Sequence, residues 1–195
     1  TGFGRTGRWL GIDNFEVTPD LITFAKGVNS GYVPLGGVII SDPIAATFDD
    51  RVYPGGLTYS GHPLACGAAV ATITVMREEG MVENAARLGS DLIGPGLAKL
   101  AENHPSVGEV RGLGAFWAIE LVKDPATREP LAPYGGSSDA MNATVAACKA
   151  EGLLPFVHYN RIHVVPPLNI PDEDVQHGLE ILDRALAHAD AAVTA

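Results

Sequence analysis

The chain alternates between two hydrophobic periods, and that alternation confines it to folds that pack helices against sheets. Leu21-Ile22-Thr23-Phe24-Ala25, preceded by Pro19-Asp20, reads as a buried strand. Gly37-Val38-Ile39-Ile40 reads as a second, ended by Ser41-Asp42-Pro43. A long helix is expected next, with Ser60 as N-cap, Pro63 in its first turn and Gly80 as its stop. Ala65 to Met76 is apolar nearly all round, which predicts deep burial. Met81 to Glu102 carries a one-sided stripe through Ala85, Leu88, Leu92, Leu97 and Leu100, with a kink expected at Gly94-Pro95-Gly96. Val110 and Ala115 to Val122 are strand-like around a bend at Arg111 to Gly114. Ser138 opens a helix that Gly152 closes, and short strands follow at Leu153 to Val157 and Arg161 to Val165. In the last helix Val175, Leu179, Leu182 and Leu186 share a face, and Asp172, Glu173 and Asp174 suit the positive end of its dipole.

The second half therefore reads as a small α+β lobe. The first half reads as the tail of a larger α/β sheet, because two strands and one helix cannot cover both faces of such a sheet. The helix from Met81 is the expected bridge. With 195 residues, 46% hydrophobic and 18% charged, the chain can bury a substantial core and is not a disordered one. A net charge of −10 argues against nucleic acid as a partner. No apolar run approaches the roughly 20 residues that span a bilayer, so no membrane partner is expected and cytoplasmic localisation is the default. Cys66 and Cys148 lie far apart with no CxxC, and read as two buried small hydrophobes rather than a disulfide or metal pair. The opening Thr1-Gly2-Phe3-Gly4-Arg5-Thr6-Gly7 is a glycine-rich tight loop with no initiating Met. It reads as the inside of a domain, so a fragment is expected, with poor solubility from an uncovered sheet edge.

Chemistry concentrates in two places. Lys99, Lys123 and Lys149 read as solvated charges, but Lys26 leaves an apolar strand and enters the turn Gly27-Val28-Asn29-Ser30-Gly31. Strand ends are where α/β sheets place ligands. A desolvated lysine there has a lowered pKa and serves as an amine nucleophile toward an aldehyde cofactor; the other reading is a strand-end lysine that snorkels to water. The loop Pro54-Gly55-Gly56-Leu57-Thr58-Tyr59-Ser60-Gly61 offers hydroxyls and glycines ahead of a helix N-terminus, a combination that suits a phosphate or a plain turn.

Five ordered blocks carry a family resemblance over essentially the whole chain. They are TGFGRTG at Thr1 to Gly7, PDLITFAKGVNSGYVPLGG at Pro19 to Gly37, TYSGHPLACGA at Thr58 to Ala68, VRGLGAFWAIEL at Val110 to Leu121 and VPPL at Val165 to Leu168. In this order they resemble the C-terminal half of class III aminotransferases, pyridoxal-phosphate enzymes of fold type I. The resemblance implies an α/β fold, with residues 1–80 ending the large cofactor-binding domain and 81–195 forming a small C-terminal α+β domain. It implies that Lys26 forms the internal aldimine and shuttles the proton. It implies that Thr58, with Tyr59 beside it, binds the cofactor phosphate of a neighbouring subunit, making a homodimer with shared sites. The acid that pairs with the pyridine nitrogen, and the residue that stacks on the ring, lie upstream in the family.

Arg161, on the strand before the PPL segment, is the candidate clamp for a substrate carboxylate, although its spacing to Pro166-Pro167 is two residues longer than in the ornithine branch; the alternative is a strand-start arginine paired with a surface acid. Arg5 and Arg111 look structural, and His62 reads as packing at a helix start. The six histidines show no metal spacing. The implied activity is transfer of an amino group from an amine or ω-amino acid to a 2-oxo acid, with pyruvate the expected acceptor. An aminomutase, a decarboxylating transaminase or an inactive interacting remnant are the other readings.

Overall fold

The computed structural model describes residues 1–194. Two sheets organise them, and among the described residues every strand pairing is antiparallel. β1 (Leu21–Ala25) pairs with β2 (Gly36–Ile40), Phe24 standing opposite Gly37 and Ala25 opposite Gly36. This ribbon is not the buried strand pair its composition suggested. Leu21, Val38, Ile39 and Ile40 are all exposed, because no further strand or helix among the described residues covers them.

After a short α1 (Asp42–Ala46), α2 runs over Pro63–Glu78. Its cap is His62 rather than Ser60: the ring Nδ1 accepts the Leu64 N–H at 3.2 Å. Pro63 sits where a missing N–H costs nothing. The expected deep burial is also corrected, since only Ala65, Ala69 and Met76 are buried while Leu64, Val70 and Val75 face solvent. The helix packs its one covered face on the turn Lys26–Asn29 and has little else to bury against. Cys66 rides on its open side and is exposed, whereas Cys148 is buried as expected.

α3 (Met81–Arg87) and α4 (Gly94–Asn103) form one helical run joined by a π-helical turn at Leu88–Ile93. The irregularity therefore lies just before the Gly94-Pro95-Gly96 segment. Pro95 itself occupies the first turn of α4, where proline is tolerated. β3 (Val107–Leu113) and β4 (Phe116–Asp124) make a hairpin turned by Gly114-Ala115. β5 (Glu129–Pro130) adds to the end of β4. α5 (Asp139–Ala150) is capped by Ser138, whose Oγ accepts the Met141 N–H at 3.2 Å. β6 (Phe156–His158) and β7 (Arg161–Val164) complete the sheet in the order β3-β4-β7-β6, and α6 (Asp172–Asp190) returns across it. The main core sits here: Leu88, Ile93 and Leu97 meet Ile119, Leu121 and Ile162 from the sheet and Leu182 and Leu186 from α6.

One polar clamp ties α4 to α6. His104 at the end of α4 holds Asp190 through Nδ1 at 2.6 Å and Asp183 through Nε2 at 3.1 Å, and the buried Ser106 donates to Asp190 at 2.6 Å. Burial alone pulls the imidazole pKa down, but the hydrogen bonds to Asp190 and Asp183 outweigh it and raise the pKa. A raised folded pKa gives stability that is fully present below the unfolded value, about 6.5, and is lost as pH climbs through the folded one. Substituting His104→Ala should thus lower Tm more at pH 5.5 than at pH 8.5. An equal loss at both would show that the ring is not held as the cation.

Candidate active site

Lys26 is the first residue after β1 and opens the turn Lys26–Asn29 with φ 53°. That left-handed conformation is uncommon for a residue with a side chain, and backbone strain of this kind concentrates at functional sites. The turn is locked from within. Asn29 is buried; its Nδ2 donates to the Val33 carbonyl, its Oδ1 accepts the Gly31 N–H at 3.3 Å, and its own carbonyl accepts the Tyr32 N–H at 3.1 Å. Val28, buried beside it, seats the turn on α2.

Lys26 borders a cavity of about 790 Å³, within the range of small-molecule sites. Its walls are the loop at Thr1–Phe3 with Arg5, the end of β1, and Pro167–Asn169. Phe3 closes on Phe24 edge to face, with centroids 6.1 Å apart. Among the described residues no aspartate or glutamate lines the cavity, so its charged side chains are the cations of Lys26 and Arg5. Such a chamber suits an anionic guest. Lys26 itself is exposed in this chain, not desolvated as the sequence suggested, since the cavity is open. Lys123 pairs with Glu129 at 3.6 Å, and Lys99 and Lys149 lie on the outer faces of α4 and α5.

Arg5 anchors the cavity's rim. Its Nη1 donates to the Pro166 carbonyl and, at 3.4 Å, to that of Ala115, while the Ala115 N–H returns a bond to the Arg5 carbonyl at 3.0 Å. Partial burial lowers its pKa. This supports the structural role expected for Arg5. Arg111 is likewise structural, paired with Glu120 at 2.6 Å and Glu109 at 3.1 Å.

The structure does not bring the other expected site residues to this cavity. Thr58 and Tyr59 lie on the exposed loop ahead of α2, where the Tyr59 ring approaches His62 at 6.4 Å. Arg161 opens β7 and faces a second cavity of about 670 Å³, with Arg111 and His163. There its Nη2 meets His158 Nδ1 at 2.8 Å, so its partner is a histidine and not the surface acid of the alternative reading. His163, packed between Phe116 and Phe156, has its pKa lowered by burial first and then by the nearby positive charges of Arg161 and Arg111. The two cavities share Thr1 as a wall.

Comparison with known proteins decides the family. The family model of aminotransferase class-III matches residues 1–186. The chain belongs to the class III aminotransferases. This class III chain is 38% identical over 97% of its length to 4-aminobutyrate aminotransferase GabT of Escherichia coli (strain K12), covering 43% of that protein. It is 35% identical over its whole length to putrescine–pyruvate aminotransferase of Pseudomonas aeruginosa, covering 42% of it. Among solved structures, taurine:2-oxoglutarate aminotransferase from Bifidobacterium kashiwanohense, determined with PLP and glutamate, superposes with a TM-score of 0.92 at 40% identity. That match covers 99% of this chain and 43% of the other. The α/β fold is thus that of the fold type I transaminases, and the class III chain spans somewhat under half the length of the relatives it matches.

Some residues around the cavity escaped the sequence reading. The burial of Asn29 is one, and the left-handed backbone of Lys26 was not foreseen; Asn84, which reaches the Leu168 carbonyl from α3, and Arg87, which holds Asn84, are two more.

Proposed function

We propose that this chain carries the lysine-bearing part of a pyridoxal 5'-phosphate transaminase. The protein would move an amino group from an amine or ω-amino acid to a 2-oxo acid, pyruvate being the acceptor we favour. The names of the relatives support the substrate class, which ranges from 4-aminobutyrate to putrescine and taurine. The observation that carries the reading is Lys26, a lysine held left-handed on the wall of an acid-free cavity. When bound, pyridoxal phosphate supplies an aldehyde and an electron sink. The donor set fits it: the Lys26 primary amine for the aldehyde, and the Arg5 cation on the rim of a cavity without carboxylates for an anionic group.

In this reading the Lys26 Nζ would hold the cofactor at its aldehyde carbon and, when free of it, would take up and return the substrate's proton. Thr58 and Tyr59 serve the phosphate in a second copy of the chain, which accounts for their distance from Lys26's cavity and for the open apolar face of α2. The division at residue 80 follows from the same reading, with 1–80 ending a large domain and 81–195 forming a small one. Arg161 is left a carboxylate role only from the adjoining cavity, across Thr1.

Borohydride treatment of the holoprotein followed by peptide mapping tests the assignment. Label is expected on Lys26, and label on any other residue overturns it. Substituting Thr58→Ala should weaken cofactor binding about tenfold to a hundredfold, the worth of a hydrogen bond to a charged group. Mixing Lys26→Ala with Thr58→Ala subunits should restore turnover, because one site of each mixed dimer is then intact. No restoration would place Thr58 in its own subunit's site or outside any site.

A further inference from the structure

Beyond β7 a strap runs through Pro166-Pro167 and turns at Leu168-Asn169, the Ile170 N–H closing on the Pro167 carbonyl at 3.2 Å, and Pro167 to Asn169 form part of the Lys26 cavity's wall. Two successive prolines have no N–H, so this strap is held chiefly through its carbonyls. Arg5 takes that of Pro166. The Leu168 carbonyl accepts from Asn84 Nδ2 at 2.6 Å. Asn84 is itself oriented: Arg87 donates to its Oδ1 through Nε at 3.2 Å and Nη2 at 2.9 Å, which leaves the amide N–H groups facing the strap. Arg87 in turn grips Asp172 with two bonds, at 2.6 and 3.1 Å.

Asp172 opens α6 directly after the strap, so the chain of bonds closes the strap and its continuation onto α3. The Arg87–Asp172 pair has side chains 41% and 48% exposed, and exposed pairs contribute little stability. Its use is therefore orientation.

We propose that Asn84 is a positioning residue for the Lys26 site, fixing the Leu168 carbonyl and with it the Pro167–Asn169 wall that a substrate meets. The proposal rests on the reading of Lys26 as the amine-transferring residue.

The test is Asn84→Asp in the holoprotein, which keeps the shape and the acceptor for Arg87 but sets a carboxylate against the Leu168 carbonyl. Hydrogen exchange at the Ile170 amide, which bonds the Pro167 carbonyl at 3.2 Å across the turn that Asn84 holds, should quicken about tenfold, the factor that one hydrogen bond is worth, with α6 and β4 unchanged. With 4-aminobutyrate and pyruvate as probes, KM for the amine should rise about tenfold, kcat staying within about threefold and borohydride labelling of Lys26 unaltered. Where the wild type does not turn over these probes, the exchange measurement alone decides. Asn84→Gln, which keeps the donor, should recover most of the loss, and Arg87→Gln should loosen the strap less than Asn84→Asp. Unchanged exchange in Asn84→Asp overturns the proposal, as does faster exchange spread through α3 and α6, which would make Asn84 a brace of the fold. Failure of the underlying reading shows separately, as borohydride label absent from Lys26 in the wild type.

Discussion

Lys26→Ala and Lys26→Arg are expected to remove transamination, each by about a thousandfold or more, while leaving the protein folded. General acid–base catalysis by a positioned group contributes up to about 10⁴-fold, and Lys26 is assigned the covalent step as well. Arginine keeps the charge but cannot act as an amine nucleophile at neutral pH, so it separates electrostatics from chemistry. The stability side of the prediction follows from position. Lys26 is exposed, and its left-handed backbone gains nothing from a side chain. Lys26→Gly should remove about 1–2 kcal/mol of left-handed strain against about 0.5–1 kcal/mol of added chain entropy. Its urea midpoint should therefore match or exceed the wild type's. Turnover retained in Lys26→Arg, or a collapse of stability in Lys26→Gly, would reject the picture of a strained residue kept for its amine.

Local chemistry was legible in the sequence, and long-range partners were not. Ser138 caps α5 as read, because an N-cap serine and its N–H lie three residues apart. Val175, Leu182 and Leu186 are buried as the helical period requires. Lys26 stood out because an apolar run, a lysine and a glycine turn are contiguous. The apolar α2 misled, since apolar residues announce that a surface is to be covered without saying by what; within this chain most of it stays open. Ser60 lost the cap to His62 because an imidazole nitrogen can accept as well as a hydroxyl, and His62 stands nearer the helix. Asn84 was invisible for a plainer reason: its acceptor is 84 residues away, and nothing near it in sequence hints at a carbonyl left without a donor.

The second large effect is on stability, at Gly89, and it runs against helix propensity. Gly89 lies in the π-helical turn between α3 and α4, where alanine would ordinarily be better by about 1 kcal/mol. A Cβ there would lie 2.8 Å from both the Cα and the carbonyl carbon of Gly114, nearer still to its oxygen. These are backbone atoms of the β3–β4 turn, which cannot rotate aside. Gly114 is itself left-handed at φ 55°, and a Cβ on it would meet the backbone of Thr6 and Gly7. Three chain segments thus touch through main chain alone, and the Trp117 indole donates to the same Gly114 carbonyl at 2.7 Å. Gly89→Ala should cost about 3 kcal/mol, the upper end of overpacking, and Gly114→Ala a further 1–2 kcal/mol or so for its conformation. Gly67, helical in α2 with nothing within 4 Å of where a methyl would stand, is the control and should gain about 1 kcal/mol as alanine. Urea unfolding of the three variants separates the effects. Because Thr6 and Gly7 continue from Arg5, the damage at Gly89 should also reach the rim of the Lys26 cavity and lower cofactor retention.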